Sequence, residues 1–224
     1  MDERIRVLVV DDHRMFAESL LRILGDEADI EVVGIAHTAE AGTALAVEQR
    51  PTVVVVDYGL PDFDGVQAVA MIRAAIGEVG FVMLTGSAER SVLSAAIDAG
   101  CAGFITKDNA SRELLNAVRA AGIGESVISP AMLAKLLPQL RKDGGRSSRD
   151  PLDLTSRERE VLGLLADGMS TVGIEQTLFV SRHTVRNHVQ RVMAKLGAHS
   201  RLEAVTIGVR RGLIEAPSRD LESR

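Results

Sequence analysis

Val53-Val54-Val55-Val56 runs directly into Asp57. Four consecutive β-branched residues leave no polar face, so this is a strand covered on both sides, as in parallel sheets whose crossover helices lie on each face. Similar short runs occur upstream at Ile5–Val10 and Ile30–Ala36, and downstream at Phe81–Leu84 and Gly103–Thr106. Helical periodicity fills the intervals, near Met15–Leu24, Ala39–Glu48, Val66–Ile76 and Ser91–Ala99, with a last stretch at Arg112–Ala121. Such regular βα alternation predicts a doubly wound, five-stranded parallel sheet over residues 1–122.

Beyond it the pattern changes. Residues 123–153 read as a linker, with a short helix candidate at Ala131–Leu137 followed by Pro138 and a polar stretch holding Gly144-Gly145 and Ser147-Ser148. Residues 154–214 read as an all-α domain of four short helices: Arg157–Asp167, Thr171–Leu178, Arg182–Leu196 and Arg201–Arg211. Two capping boxes, Thr155-Ser156-Arg157-Glu158 and Ser200-Arg201-Leu202-Glu203, mark helix starts, Ser181 caps a third, and Gly168, Gly197 and Gly212 stand where helices should stop. Residues 215–224 are expected to be a disordered tail. The fold class is therefore α/β plus all-α, in two domains.

Composition narrows the function. The 224 residues are 46% hydrophobic and 25% charged, with no apolar run long enough for a bilayer and no signal-peptide pattern at the N-terminus, which predicts a cytoplasmic protein with no membrane partner. The single cysteine, Cys101, excludes an internal disulfide and reads as a small buried residue. Up to Pro130 there are 20 acidic against 10 basic side chains, and from Ala131 onward 11 against 16. An acidic half joined to a basic half predicts a nucleic-acid surface confined to the C-terminal part.

In a parallel α/β sheet, ligands bind where loops leave the carboxyl ends of the strands. There the sequence delivers Asp11 and Asp12 after the first strand, Asp57 after the third, Thr85 after the fourth and Lys107 after the fifth. Three carboxylates crowded together call for a divalent cation, and hard oxygen ligands favour Mg2+. A carboxylate in that setting can attack a phosphoryl group, with Lys107 offsetting charge and Thr85 hydrogen-bonding the transferred group. His13, beside the acidic pair, reads as the start of the first helix. An Asp-nucleophile phosphatase would place a second acid two residues past the nucleophile, where this chain has Gly59, so no enzymatic role is expected.

Val9-Val10-Asp11-Asp12-His13, Asp57 with Leu60-Pro61-Asp62-Phe63-Asp64-Gly65, Thr85-Gly86-Ser87 and Gly103-Phe104-Ile105-Thr106-Lys107 resemble the flavodoxin-like receiver domain of NarL/FixJ-type two-component response regulators. That resemblance implies that Asp57 is the phosphoacceptor, charged by a sensor histidine kinase. It further implies that Asp11, Asp12, Asp57 and the backbone carbonyl of Gly59 organise Mg2+, that Thr85 and Lys107 contact the phosphoryl group, and that Phe104 is the aromatic switch. Asp108 follows Lys107 where receivers often have proline.

In the basic half, Val185, Val189, Val192 and Leu196 form one apolar stripe along Arg182–Leu196, with His183, Asn187, Gln190 and Ala194 nearly opposite and Arg186 and Arg191 on the flanks. Between Ser181 and Arg201 there are five Arg or Lys residues and no acid, which suits a helix against phosphates and base edges. Leu154-Thr155-Ser156-Arg157-Glu158, Val180-Ser181-Arg182-His183-Thr184-Val185-Arg186-Asn187-His188-Val189 and Lys195-Leu196-Gly197 are similar to the LuxR-type helix-turn-helix. The similarity implies DNA as partner, Arg182–Leu196 as the recognition helix, and Arg186, Asn187 and Gln190 as base readers. It implies Ser181, Thr184 and Arg201 as phosphate contacts, Arg182, His183 and Arg191 as further DNA-binding residues, and a homodimer when phosphorylated, with a contact on the last helix. Val172-Gly173-Ile174-Glu175-Gln176 departs from the usual scaffold-helix pattern, and Gly173 inside a helix costs about 1 kcal/mol relative to Ala.

Overall fold

The computed structural model describes residues 4–86, 89–126 and 154–214. The linker helix at Ala131–Leu137, Ser87 and the tail 215–224 lie outside the described residues. The chain divides into two compact units, Met1–Val127 and Ile128–Arg224.

The first unit alternates β1 (Ile5–Val10), α1 (Arg14–Gly25), β2 (Ile30–Ala36), α2 (Ala39–Gln49), β3 (Val53–Asp57), α3 (Gly65–Ile76), β4 (Gly80–Thr85), α4 (Arg90–Asp98), β5 (Gly103–Thr106) and α5 (Ala110–Gly122). All strand pairs are parallel, in the order β2-β1-β3-β4-β5. Val53–Val56 are wholly buried, as are Val7–Val10 and Phe81–Leu84, so the central strands carry the core. The chain steps outward from β1 to β2 and then returns to the other side of β1 as β3. That reversal opens the crevice above the carboxyl ends of β1 and β3. Register fixes the rest: Val10 pairs with Val56, Asp57 with Leu84 and Thr85 with Thr106, which brings the loops after four strands to one edge.

The second unit holds α6 (Ser156–Ala166), α7 (Thr171–Leu178), α8 (Arg182–Leu196) and α9 (Arg201–Arg210). Thr155, Ser170, Ser181 and Ser200 each accept a backbone N–H at the start of a helix. The Thr155–Glu158 capping box is complete. The second box is only half formed: Ser200 caps the Glu203 amide, but the Glu203 carboxylate takes the His199 N–H at 2.6 Å, where it also meets the His199 ring at 3.3 Å. Gly197 ends α8 with φ +68, a left-handed conformation that needs no Cβ. The apolar stripe is buried as its period requires, Val185 and Val189 against Val161 and Ile174, and Val192 and Leu196 against Leu162, Ala204 and Val205.

Candidate functional site

At the edge above β1 and β3, Asp11 directly follows the first strand and is fully buried, and Asp57 is 3% exposed. Lys107 opens a short 3-10 turn immediately after β5 and reaches into the crevice, its Nζ 2.9 Å from Asp57 Oδ2 and 2.9 Å from Asp11 Oδ2. Thr85 and Phe104 are buried, on β4 and β5 respectively. Gly65 lets the chain turn back sharply after Asp57: it donates its N–H to the Tyr58 carbonyl at 2.8 Å, and a Cβ there would fall 2.5 Å from the Asp57 carbonyl oxygen. Gly59 donates its backbone N–H to the Asp57 carboxylate.

Burial pushes the Asp57 carboxyl above the usual range, with the Asp11 charge adding to it, and the hydrogen bond from Lys107 only partly opposes this. For Lys107 burial acts downward, but the Asp11 and Asp57 carboxylates outweigh it and hold the ammonium above its ordinary value. Three carboxylates and one ammonium leave the cluster negative. Ligand atoms of Asp11, Asp12, His13 and Asp57 lie within 4.8 Å of one another. Two buried oxygens have no partner of hydrogen-bond geometry: Asp11 Oδ2, 2.9 Å from the Lys107 ammonium, and Asp12 Oδ1, 2.7 Å from the His13 ring nitrogen. Orphaned, buried, hard oxygen atoms with excess negative charge fit a divalent cation such as Mg2+.

Sequence reasoning missed several members of this site. His13 does precede α1, but its ring is not a cap: Nδ1 stands 2.7 Å from Asp12 Oδ1 and 3.3 Å from Lys107 Nζ. Phe16 lies beneath Lys107, its ring centroid 4.9 Å from Nζ. His37 Nδ1 is 2.8 Å from the Asp11 backbone oxygen, and since a carbonyl only accepts, the ring nitrogen must carry the proton. Asp62 accepts the Ala39 and Glu40 amides, tying the loop after β3 to the start of α2. Apart from the adjacent His13 and Asp12, these pairings join residues 22 to 94 positions apart, so periodicity does not reveal them.

On the second unit, Ser181, Arg182, His183, Arg186, Gln190 and Arg191 are exposed along α8 and its cap, and Thr184 and Asn187 are partly exposed. Ser181 is occupied as a cap, accepting the Thr184 amide at 3.2 Å and sharing a hydrogen bond with the Thr184 hydroxyl. One expected phosphate contact is corrected. Arg201 is only 7% exposed, and its Nη1 donates to Thr171 Oγ1 at 3.0 Å, because the first turn of α9 is buried and the guanidinium is held at the first residue of α7. Lys195 is likewise drawn off, pairing with buried Glu158 at 2.7 Å. The basic face is thus smaller than a count of basic residues suggests.

Residues 7–119 match the family described as the response regulator receiver domain, and residues 152–207 match the bacterial regulatory proteins of the luxR family. The probable transcriptional regulatory protein NarL of Mycobacterium tuberculosis is 33% identical over 213 residues, covering 95% of this chain and 97% of that protein. The chain is a two-component response regulator of the NarL/FixJ type. The DNA-binding transcriptional activator DevR/DosR of the same organism is 34% identical to the regulator, over 89% of this chain and 92% of its own. A solved LuxR-family response regulator from Aurantimonas sp. SI85-9A1 superposes with a TM-score of 0.57 at 28% identity, covering 61% of the regulator and 98% of that chain. As a family these proteins regulate transcription. No helix among the regulator's described residues is long and apolar enough to cross a membrane.

Proposed function

We propose that a sensor histidine kinase phosphorylates Asp57 and that this controls binding of α8 to specific DNA. The observation that carries the reading is the convergence of Asp11, Asp12, Asp57 and Lys107 at the crevice of a receiver joined to a luxR-family domain. In the transfer an Asp57 carboxylate oxygen forms a bond to phosphorus as the phosphorus–nitrogen bond of the kinase phosphohistidine breaks, and the imidazole leaves with a proton. Asp11, Asp12 and Asp57, with the Gly59 carbonyl, would hold Mg2+, which when bound neutralises charge on the phosphoryl oxygens. Lys107, already at Asp57 Oδ2, follows the new negative charge, and Thr85 supplies a hydroxyl to it. A phosphoryl group adds about −1.5 to −2 charges, and the repacking of Thr85 and Phe104 around it is the switch.

On the DNA side, Ser181, Arg182, His183, Thr184 and Arg191 contact the backbone, and Arg186, Asn187 and Gln190 face base edges. The domains are residues 1–122 for the receiver and 154–214 for DNA binding, joined by 123–153. The phosphorylated form acts as a homodimer in the cytoplasm, and the protein does no chemistry beyond its own phosphorylation. Incubation with acetyl phosphate and Mg2+ tests this: the wild type should gain a phosphoryl group and tighter DNA binding, and Asp57→Asn neither. Equal DNA affinity in both states of the wild type would refute the switching.

A further inference from the structure

The structure sorts the polar side chains of α8 into those already committed and those still available. Arg182 Nε lies 3.4 Å from Glu175 Oε2 and Lys195 Nζ 2.7 Å from Glu158 Oε2, while the Asn187 amide nitrogen lies 3.1 Å from His183 Nε2. Arg186, Gln190 and Arg191 are exposed and make no hydrogen bond or ion pair among the described residues. Arg186 and Gln190 are four residues apart, so they stand one above the other on a single side of the helix. Arg191 points to the opposite flank of the buried valine stripe.

Chemistry assigns each of the three a different task. A guanidinium offers two parallel donors that match guanine O6 and N7, and a glutamine amide offers one acceptor and one donor that match adenine N6 and N7. Four residues of helix advance about 6 Å, which is close to two base-pair steps at about 3.4 Å each along the duplex. Resting on the reading of α8 as the DNA-binding helix, we infer that the half-site presents a guanine to Arg186 and an adenine to Gln190 about two base pairs away. Arg191, on the far flank, holds a phosphate. Asn187 enters the groove with its amide engaged by His183 and discriminates less.

The test is selection of bound sequences from a random duplex library by the full-length protein treated with acetyl phosphate and Mg2+. Wild type should enrich a half-site with that guanine and adenine. Gln190→Ala should flatten the preference at the adenine by about tenfold and leave the guanine intact, Arg186→Ala should do the reverse, and Gln190→Lys should convert the adenine preference to guanine. Both side chains are exposed, and unchanged helicity with retained low-salt binding to an unrelated duplex identifies folded variants. Both preferences persisting in Gln190→Ala, or all positions weakening together, would overturn the assignment while leaving DNA binding in place. A wild type that enriches no sequence would overturn the DNA-binding reading and this inference with it.

Discussion

The Lys107 ammonium lies 2.9 Å from Asp57 Oδ2, and the same nitrogen reaches Asp11, so a single cation spans two carboxylates that the sheet buries side by side. Hydrogen bonding to Lys107 does not fully compensate Asp57: burial still holds its carboxyl above the ordinary range. A group that binds its proton more tightly folded than unfolded disfavours folding once it is ionised. The residue proposed to accept the phosphoryl group therefore destabilises the resting receiver.

Asp57→Asn should accordingly raise the urea midpoint of the receiver at neutral pH without Mg2+. The sign follows from the raised pKa: the penalty is absent below about pH 4, where Asp57 is protonated in both states, and grows as pH rises through the folded value. The gap between variant and wild type should close in acid, and also on adding Mg2+, which stabilises the carboxylate form by binding it. An equal or lower midpoint at pH 7 would contradict the burial argument.

Glu158 carries the opposite sign. Burial acts to raise it, but the Lys195 ammonium and the Thr155 donors prevail and hold it below the ordinary carboxylate range. Its contribution to the C-terminal unit is present above the unfolded value and is lost as pH falls through the folded one. Glu158→Gln should cost about 2 kcal/mol at pH 7, the scale of hydrogen bonds to charged groups, and the difference from wild type should shrink below about pH 4. Denaturant titrations at several pH values measure both.

Phe179 ends α7 in the left-handed region, φ +54, and the residue is 93% exposed. A residue with a Cβ is strained there, and this one gains no burial in return. Phe179→Gly should stabilise the domain by about 1 kcal/mol in chemical denaturation. A loss of stability would mean that the ring packs in solution.

How much of this was legible in the sequence depended on the range of the interaction. Val53-Val54-Val55-Val56 and the strand-end Asp11, Asp57 and Thr85 could be placed because period and topology fix where a strand stops, and the observed strands agree within a residue at each end. The valine stripe of α8 was legible for the same reason. What failed was orientation. Arg201 stands in a helix-start motif, and nothing local says that its guanidinium turns inward to a threonine 30 residues earlier. His37 at Asp11 and Asp62 at α2 are hidden likewise, each a hydrogen bond that exists only after the sheet has brought distant loops together.

The burial of Arg201 and the exposure of Arg191 separate the two arginines experimentally. Arg191 is exposed with no intramolecular partner among the described residues, so Arg191→Ala should leave stability within about 0.5 kcal/mol of wild type. If it neutralises a phosphate, the same variant should lower the slope of log affinity against log salt by about 1 and weaken binding evenly across sequences. Arg201 is buried against Thr171, so Arg201→Ala should leave that slope unchanged and cost about 2 kcal/mol of unfolding free energy. Paired denaturation and salt-titration experiments read both quantities. A reduced salt slope for Arg201→Ala at wild-type stability would return that residue to the DNA surface.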